Sequence, residues 1–155
     1  MGDESKFDTV DHTSHMRRAI ELAHQAAERG DRPFGSVLVR DDEIVMSESN
    51  RVVTDHDIRR HPELHLAYRA CRELSAAERA DIVMYTSTEP CPMCSGGMRQ
   101  ASFAGVIFGV SSAELAEFTD VEPTARAADN LDGITAVSGP VLNDEARRLH
   151  DDFDW

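Results

Sequence analysis

The chain has 155 residues, 41% of them hydrophobic, which is enough to fold residues 1–155 as one domain with its own core. No run approaches the roughly twenty apolar residues of a membrane span, and the acidic start from Met1 to Val10 does not resemble a secretory signal, so we expect a cytoplasmic protein with no membrane partner. The net charge of −13 repels phosphate backbones and argues against a nucleic-acid partner. Such an acidic excess is typical of proteins from a high-salt cytoplasm, and also of ordinary acidic proteins.

The first part of the chain predicts one amphipathic helix followed by a strand hairpin. Apolar residues recur at helical spacing and stop at a glycine, and two apolar runs then flank an Asp-Asp turn. The expected elements are a loose acidic lead-in at 1–12, a helix from Thr13 to Gly30, strands at 36–39 and 44–49 around Asp41-Asp42, and a polar loop at 54–60.

The remainder alternates strands and helices. This alternation implies right-handed crossovers and a largely parallel sheet after the first hairpin. The helix after His61 is expected to bury Leu64, Ala67, Tyr68, Cys71 and Leu74. The expected elements are that helix, a strand at 82–87, a helix from Cys91, strands at 105–110 and 134–137, and a final helix at 143–152.

Two short segments carry the side chains that zinc prefers. His61 belongs to a His-x-Glu motif, and Cys91 and Cys94 follow Pro90 in a Pro-Cys-x-x-Cys motif. A catalytic zinc site uses three protein ligands and keeps a fourth position for water. Cys-x-x-Cys at a helix start brings both sulfurs to one ion, and the helix N-terminus favours thiolates. The sequence therefore predicts Zn²⁺ bound by His61, Cys91 and Cys94.

Glu63 stands two residues from His61, close enough to reach a metal-activated water without being a ligand. The metal lowers the pKa of that water towards ~7, and a carboxylate could then take its proton and pass it to a departing amine. Glu63 is therefore the predicted catalytic residue.

Other interpretations of the cysteine pair remain open. Cys-x-x-Cys alone is also found in redox pairs and as half of a structural zinc site. A structural site needs a fourth protein ligand. Cys71 is expected to be a buried packing residue, but His65 lies one helical turn after His61 and could complete a two-histidine, two-cysteine site. The presence of Glu63 and Pro90 favours the catalytic interpretation.

The two motifs, with the segment from Thr86 to Cys94, resemble the zinc-dependent cytidine and deoxycytidylate deaminase superfamily. Within it, the chain is similar to the branch of guanine deaminases, yeast-type cytosine deaminases and tRNA adenosine deaminases. The resemblance covers nearly the whole chain and implies an α/β fold, a three-layer α/β/α sandwich around a five-stranded mixed sheet, and a homodimer. Pro62 stands where most relatives carry alanine; the first turn of a helix tolerates it, but the pocket floor could change.

The resemblance also implies a hydrolytic deaminase of a free nucleobase or nucleoside, with guanine or a related aminopurine favoured. Cytosine is the alternative, and a tRNA adenosine deaminase or a non-catalytic zinc-stabilised module ranks below it. Asn50 resembles the family's substrate-contacting asparagine, although asparagine also commonly caps strand ends. Gln100 stands where guanine deaminases often have an aromatic residue. The tail is either a pocket closure or an acidic surface. The remaining substrate-contact candidates implied by the resemblance are Phe118, Asp120, Glu122, Asp154 and Trp155.

Overall fold

The computed structural model describes residues 11–155, in which helices cover both faces of a five-stranded sheet. The lead-in at 1–12 therefore lies almost wholly outside the described residues. The strands are β1 (Gly35–Arg40), β2 (Glu43–Ser49), β3 (Val83–Thr88), β4 (Gly105–Val110) and β5 (Ala136–Ser138). The helices are α1 (His12–Arg29), α2 (Val52–Asp55), α3 (Pro62–Glu73), α4 (Ala76–Arg79), α5 (Pro92–Ala101), α6 (Ser112–Thr119), α7 (Ala127–Asn130) and α8 (Asn143–Asp151), with a 3-10 turn at Ile58–Arg60.

The sheet is mixed, in the strand order β2-β1-β3-β4-β5. β1 pairs antiparallel with β2 and with β3, whereas β3, β4 and β5 run parallel. The carboxyl ends of β3 and β4 therefore meet at Thr88 and Val110, beside the amino end of β1, where the Gly35 N–H donates to Ser87 Oγ. The predicted mixed α/β sandwich is confirmed.

Two apolar layers hold the helices against the sheet. On one face, α3, α5 and α7 pack their buried side chains, among them Leu66, Met98 and Ala127, against Leu38 and Met84 of the sheet. On the other face, α1 and α8 pack against the strand residues Val37, Tyr85 and Ile107. Because side chains alternate along each strand, one strand supplies both layers.

The first helix begins and ends where the sequence predicts. The Asp11 carboxylate accepts from the Ser14 N–H and caps its start, and Gly30 ends it with a φ of 97°, a left-handed conformation that glycine adopts without strain. Gly35 is required for a different reason. A Cβ there would lie 2.3 Å from the Ala19 carbonyl oxygen, so only glycine lets α1 lie this close to β1.

The predicted polar loop at 54–60 is wrong, because this segment contains α2 and the 3-10 turn. The Asn50 side chain accepts from the Val52 N–H at 3.0 Å and starts α2. The Asp57 side chain accepts from the Arg59 N–H and starts the 3-10 turn. The polar composition of the segment predicted a loop, but hydrogen bonds from these short polar side chains to nearby backbone N–H groups favour helical turns instead.

The predicted buried face of α3 is only partly correct. Ala67 is buried, but Tyr68 is 54% exposed and Cys71 is also exposed. The buried side follows Glu63, Leu66, Ala67 and Ala70 at helical spacing. Glu63 faces the sheet and fixes the rotation of the helix, which carries Tyr68 and Cys71 to the outside.

The C-terminal segment ends in a group of aromatic rings. His150, at the end of α8, is 1% exposed and lies with its ring centre 5.9 Å from Phe34, 5.6 Å from Phe118 and 5.8 Å from Trp155. Its Nε2 is 3.1 Å from Thr88 Oγ1, and its Nδ1 has no hydrogen-bond partner among residues 11–155. We call Phe34, Phe118, His150, Phe153 and Trp155 the aromatic cluster.

The buried imidazole predicts a loss of stability in mild acid. Burial lowers the pKa of His150 to about 4, whereas an unfolded histidine has a pKa near ~6.5. Between these values the unfolded chain binds a proton that the folded chain does not. The free energy of unfolding should therefore fall as the pH drops from ~6.5 towards ~4, by up to about 3 kcal/mol from this residue.

The measurement is urea unfolding at several pH values in this range, comparing the parent with His150→Phe. The variant should lose this part of the pH dependence, whereas His24→Gln on the exposed side of α1 should keep it. An unchanged slope in His150→Phe would show that His150 is not the titrating group.

Candidate active site

Three potential metal ligands converge at the edge of the sheet where β3 ends. The ligand atoms of His61, Cys91 and Cys94 all lie within 4.8 Å of one another. His61 Nδ1 is 3.9 Å from Cys91 Sγ and 3.6 Å from Cys94 Sγ. A tetrahedral zinc ion with ordinary bond lengths holds a nitrogen and a sulfur ligand about 3.5 Å apart. The donor set and its spacing therefore fit zinc.

Both motifs place their first ligand directly before a helix. His61 is the N-cap of α3 and Cys91 is the N-cap of α5, both in extended conformation, and a proline follows each of them. Proline suits this position because the first N–H of a helix has no intrahelical partner. Pro62 therefore fits the start of α3 in the same way as Pro92 fits the start of α5.

The two sulfurs differ in their affinity for protons. A hydrogen bond from the Cys94 thiol, helped by His61, lowers the pKa of Cys91 to about 4. The same hydrogen bond and burial raise the pKa of Cys94. Because zinc binds cysteine as thiolate, the ion would replace the proton that the two sulfurs share.

Glu63 lies beside this triad at the bottom of the site, and its side chain is 7% exposed. Burial, with a contribution from the Cys91 charge, raises the pKa of its carboxyl to about 7. A carboxyl group with such a pKa can both accept and release a proton at neutral pH. Its Oε1 accepts a hydrogen bond from Ser36 Oγ at 3.1 Å, a contact that the sequence analysis missed.

His65 does not belong to the group of converging ligands. Its Nε2 lies 3.8 Å from Glu48 Oε2, and the cluster of metal-ligating atoms found in residues 11–155 contains His61, Cys91 and Cys94 alone. The structure therefore offers three protein ligands, which is the arrangement of a catalytic rather than a structural zinc site.

Asn50 is buried and its side chain is fixed in orientation. Its backbone N–H donates to the Phe34 carbonyl, and its own carbonyl accepts from Arg29 at 2.8 Å. Because its Oδ1 accepts from the N–H of Val52, the first residue of α2, only its Nδ2 group remains without a hydrogen-bond partner in the described chain. The strand-end cap and a substrate contact are therefore compatible roles for this one residue.

Arg29 is held in turn by the buried Asp31. Arg29 Nε donates to Asp31 Oδ2 at 2.9 Å, and the Thr54 hydroxyl and N–H donate to the same carboxylate. Burial raises the pKa of Asp31, but these hydrogen bonds outweigh it and hold the pKa below its usual value. A charged Asp31 thereby fixes the arginine that holds Asn50.

Glu89 is a second residue whose role the sequence analysis did not find. It precedes Pro90, and its carboxylate accepts from the Ser112 N–H at 3.0 Å and from the Ala127 N–H at 2.7 Å. These hydrogen bonds tie the loop of the first cysteine to the starts of α6 and α7. The position of Glu89 in the Glu-Pro-Cys sequence was the only local sign of this role. Its partners, the N–H groups of Ser112 and Ala127, lie far along the chain and cannot be predicted from that position.

The structure separates the remaining substrate-contact candidates into two groups. Phe118 and Trp155 belong to the aromatic cluster, where Trp155 lies 6.0 Å from Phe34, the residue bonded to Asn50. Asp120, Glu122 and Asp154 are exposed. The structure thus places both aromatic candidates in the aromatic cluster, with Trp155 beside Phe34, and the three acidic candidates at the surface.

Comparison with known proteins assigns this arrangement to a class. Residues 9–110 match the family model of the cytidine and deoxycytidylate deaminase zinc-binding region. The chain is 35% identical to guanine deaminase of Bacillus subtilis over 109 residues, which is 70% of each chain. It is 32% identical to the probable cytosine deaminase of Schizosaccharomyces pombe over 149 residues, which is 90% of each chain.

A solved structure from studies of A-to-I editing by tRNA:A34 deaminases has the same fold, with a TM-score of 0.68 and 23% identity over 88% of this chain and 99% of that one. Fold, ligand set and similarity together define a zinc-dependent hydrolytic deaminase. The chain belongs to the cytidine and deoxycytidylate deaminase family. Among the helices of residues 11–155, none is long and apolar enough to cross a membrane.

Proposed function

We propose that this enzyme deaminates a free nucleobase, with guanine or a related aminopurine as its first substrate, and that His61, Cys91 and Cys94 bind its zinc. The observation that carries the proposal is the buried Glu63 beside three converging ligands. The similarity to guanine deaminase over 70% of the chain supports the choice of base.

Zinc, when bound, supplies a Lewis acid that makes water nucleophilic at neutral pH. The protein's own groups manage the protons and the orientation of the base. Glu63 takes one proton from the attacking water and passes it to the ring nitrogen next to the carbon under attack. It then takes the remaining proton of the added hydroxyl, as the new carbonyl forms, and gives it to the amine, which leaves as ammonia. The Asn50 Nδ2 group donates to an acceptor on the rim of the base and so fixes its orientation.

The aromatic cluster fits a small planar substrate. Phe118 and Trp155 both lie beside His150, and Trp155 also lies beside Phe34, whose carbonyl accepts from the Asn50 N–H. A planar base gains contact area by stacking on such rings. Trp155 is 37% exposed and lies outside the last helix, α8, so it can move without unfolding an element. We propose that Phe118 and Trp155 close over the base.

Cytosine is the second candidate, because the similarity to the probable cytosine deaminase extends over 90% of both chains, more than the guanine deaminase match covers. The deciding experiment measures ammonia release from guanine, cytosine, adenine and their nucleosides at low and high salt. The highest kcat/KM with guanine would support the proposal. The highest kcat/KM with cytosine would contradict it and identify a cytosine deaminase instead.

A tRNA substrate is disfavoured by charge. With a net charge of −13, the protein repels a phosphate backbone, and this repulsion is strongest at low salt. The same experiment therefore includes a tRNA transcript, whose deamination is measured as inosine. Faster reaction with the transcript than with every free base would reverse this ranking.

We also propose a homodimer that forms through an exposed face of α3 and α5. Tyr68 and Met93 are exposed there, and Gly96 is an exposed glycine within a helix, with no atom within 4 Å of where its Cβ would lie. Glycine costs a helix ~1 kcal/mol relative to alanine, and no contact within its own chain requires a glycine at position 96. Close approach of a second chain would explain why it is there.

Light scattering should therefore give the mass of two chains for the parent. Gly96→Arg should give the mass of one, because its long charged side chain would stand in the contact. Arginine has a higher helix propensity than the glycine it replaces, so α5 should remain folded and the helical signal in the circular dichroism spectrum should be unchanged. A parent protein with the mass of a single chain would contradict the proposal.

A further inference from the structure

Two buried hydroxyl groups lie behind Glu63 and are not part of the metal site. Ser36 Oγ is 3.1 Å from Glu63 Oε1 and 2.7 Å from Thr86 Oγ1, and Thr86 Oγ1 is 3.2 Å from the Thr88 carbonyl oxygen. Ser36 is 0% exposed and Thr86 is 1% exposed. The four groups form a continuous hydrogen-bonded row: Glu63, Ser36, Thr86 and the Thr88 carbonyl.

Strand register brings the two hydroxyls together. Ser36 of β1 and Thr86 of β3 are direct partners in an antiparallel pair, so their side chains lie on the same face of the sheet. The next residues along that face, Leu38 and Met84, belong to the apolar layer under α3. Burying a hydroxyl in such a layer is unfavourable unless the hydroxyl is hydrogen bonded, so packing alone does not favour this pair.

The hydrogen bonds of the row can run in either direction, depending on whether Glu63 is protonated. When Glu63 is a carboxylate, the Ser36 hydroxyl donates to Glu63 and the Thr86 hydroxyl donates to Ser36. When Oε1 of Glu63 carries a proton, the direction reverses: Glu63 donates to Ser36, Ser36 to Thr86, and Thr86 to the Thr88 carbonyl. Each hydroxyl only rotates about its C–O bond, and no heavy atom moves.

We propose that Ser36, backed by Thr86, is a positioning residue that holds Glu63 in one orientation whether or not it carries the proton in transit. The inference rests on the proposed function, because only a residue that both takes and gives a proton needs a partner that can donate and accept. A backbone N–H or a lysine can only donate and so could not receive a hydrogen bond from a protonated Oε1, and a carbonyl can only accept and so could not donate to the carboxylate. A pair of hydroxyl groups can hydrogen bond to Glu63 in either of its protonation states.

The test uses full-length zinc-loaded protein and two kinds of substitution. Ser36→Ala and Thr86→Val remove a hydroxyl and nearly keep the shape, whereas Thr86→Ser keeps the hydroxyl and removes a methyl group. The matched control is Thr135→Val, since Thr135 is also buried and donates to the Phe103 carbonyl at 2.8 Å, outside this row. The substrate is the base with the highest kcat/KM in the panel above, which is guanine in our proposal.

We expect kcat to fall about tenfold in Ser36→Ala and several-fold in Thr86→Val, with KM changed less than about twofold and one zinc per chain retained. Thr86→Ser and Thr135→Val should keep the parent kcat. The double variant Ser36→Ala/Thr86→Val should match Ser36→Ala, because both residues act through one contact. A crystal structure of Ser36→Ala should show Glu63 in more than one side-chain conformation.

Three results would overturn the inference: a kcat of Ser36→Ala within twofold of the parent, a loss that appears in KM, or Thr86→Ser as impaired as Thr86→Val. Failure of the inference and failure of the proposed function are distinguishable. Full activity in Glu63→Gln removes the proposed function itself. An inactive Glu63→Gln beside an unimpaired Ser36→Ala removes only the role of the hydroxyl pair.

Discussion

Replacing Glu63 by glutamine is expected to lower kcat by ~10²–10⁴-fold, the usual contribution of a general acid–base group. The amide has nearly the same shape and can still accept from Ser36, so the fold and the ligand triad should remain. It cannot take or give the proton, and one carboxyl serves several transfers in the proposed reaction, so the loss could exceed this range.

The measurements are steady-state kinetics and zinc content of the same preparation. Glu73→Gln is the matched control, because Glu73 ends the same helix and is exposed. The control should keep both zinc and activity. Activity of Glu63→Gln within a few-fold of the parent would exclude the mechanism and favour the non-catalytic interpretation, and loss of zinc would make Glu63 a ligand.

Replacing Cys91 by alanine is expected to remove nearly all bound zinc, and with it the activity. Two protein ligands would remain, one fewer than a catalytic zinc site uses. Metal analysis of dialysed protein should give close to one zinc per chain for the parent and close to none for the variant.

Cys71→Ala is the control for this substitution. Cys71 is exposed on α3 and has no place in the ligand cluster, so its removal should leave the zinc content unchanged. A Cys91→Ala protein that keeps a full equivalent of zinc would require a different ligand set.

The sequence alone was sufficient for the parts of this molecule that depend on local patterns. The helix that Gly30 ends, the hairpin at Asp41-Asp42 and the strand leading to Thr88 all occur close to their predicted positions. The spacing of His61, Glu63, Cys91 and Cys94 also specified which residues would converge. Each of these signals lies within one element or one short motif.

The missed features depend on residues that are distant along the chain. The rotation of α3 about its own axis leaves Tyr68 and Cys71 exposed. It follows from the contact between Glu63 of this helix and Ser36 of the sheet. The partners of Glu89 are backbone amides, which every residue type except proline supplies. Neither kind of contact leaves a pattern that can be recognised in a single sequence.

The hydrogen bonds of Glu89 have a consequence for how this enzyme could change its substrate. The proposed ligands, Asn50 and the proton-carrying Glu63 all lie between residues 50 and 94, whereas three rings of the aromatic cluster lie after residue 140. Glu89 connects the first stretch to α6, which carries Phe118 of the aromatic cluster, and to α7. It does so through main-chain amides, whose positions do not depend on the side chains there. In the proposed function, substitutions in the last third of the chain would therefore alter which base fits while the groups proposed for the reaction stay in place, so a new specificity would not have to rebuild the metal centre.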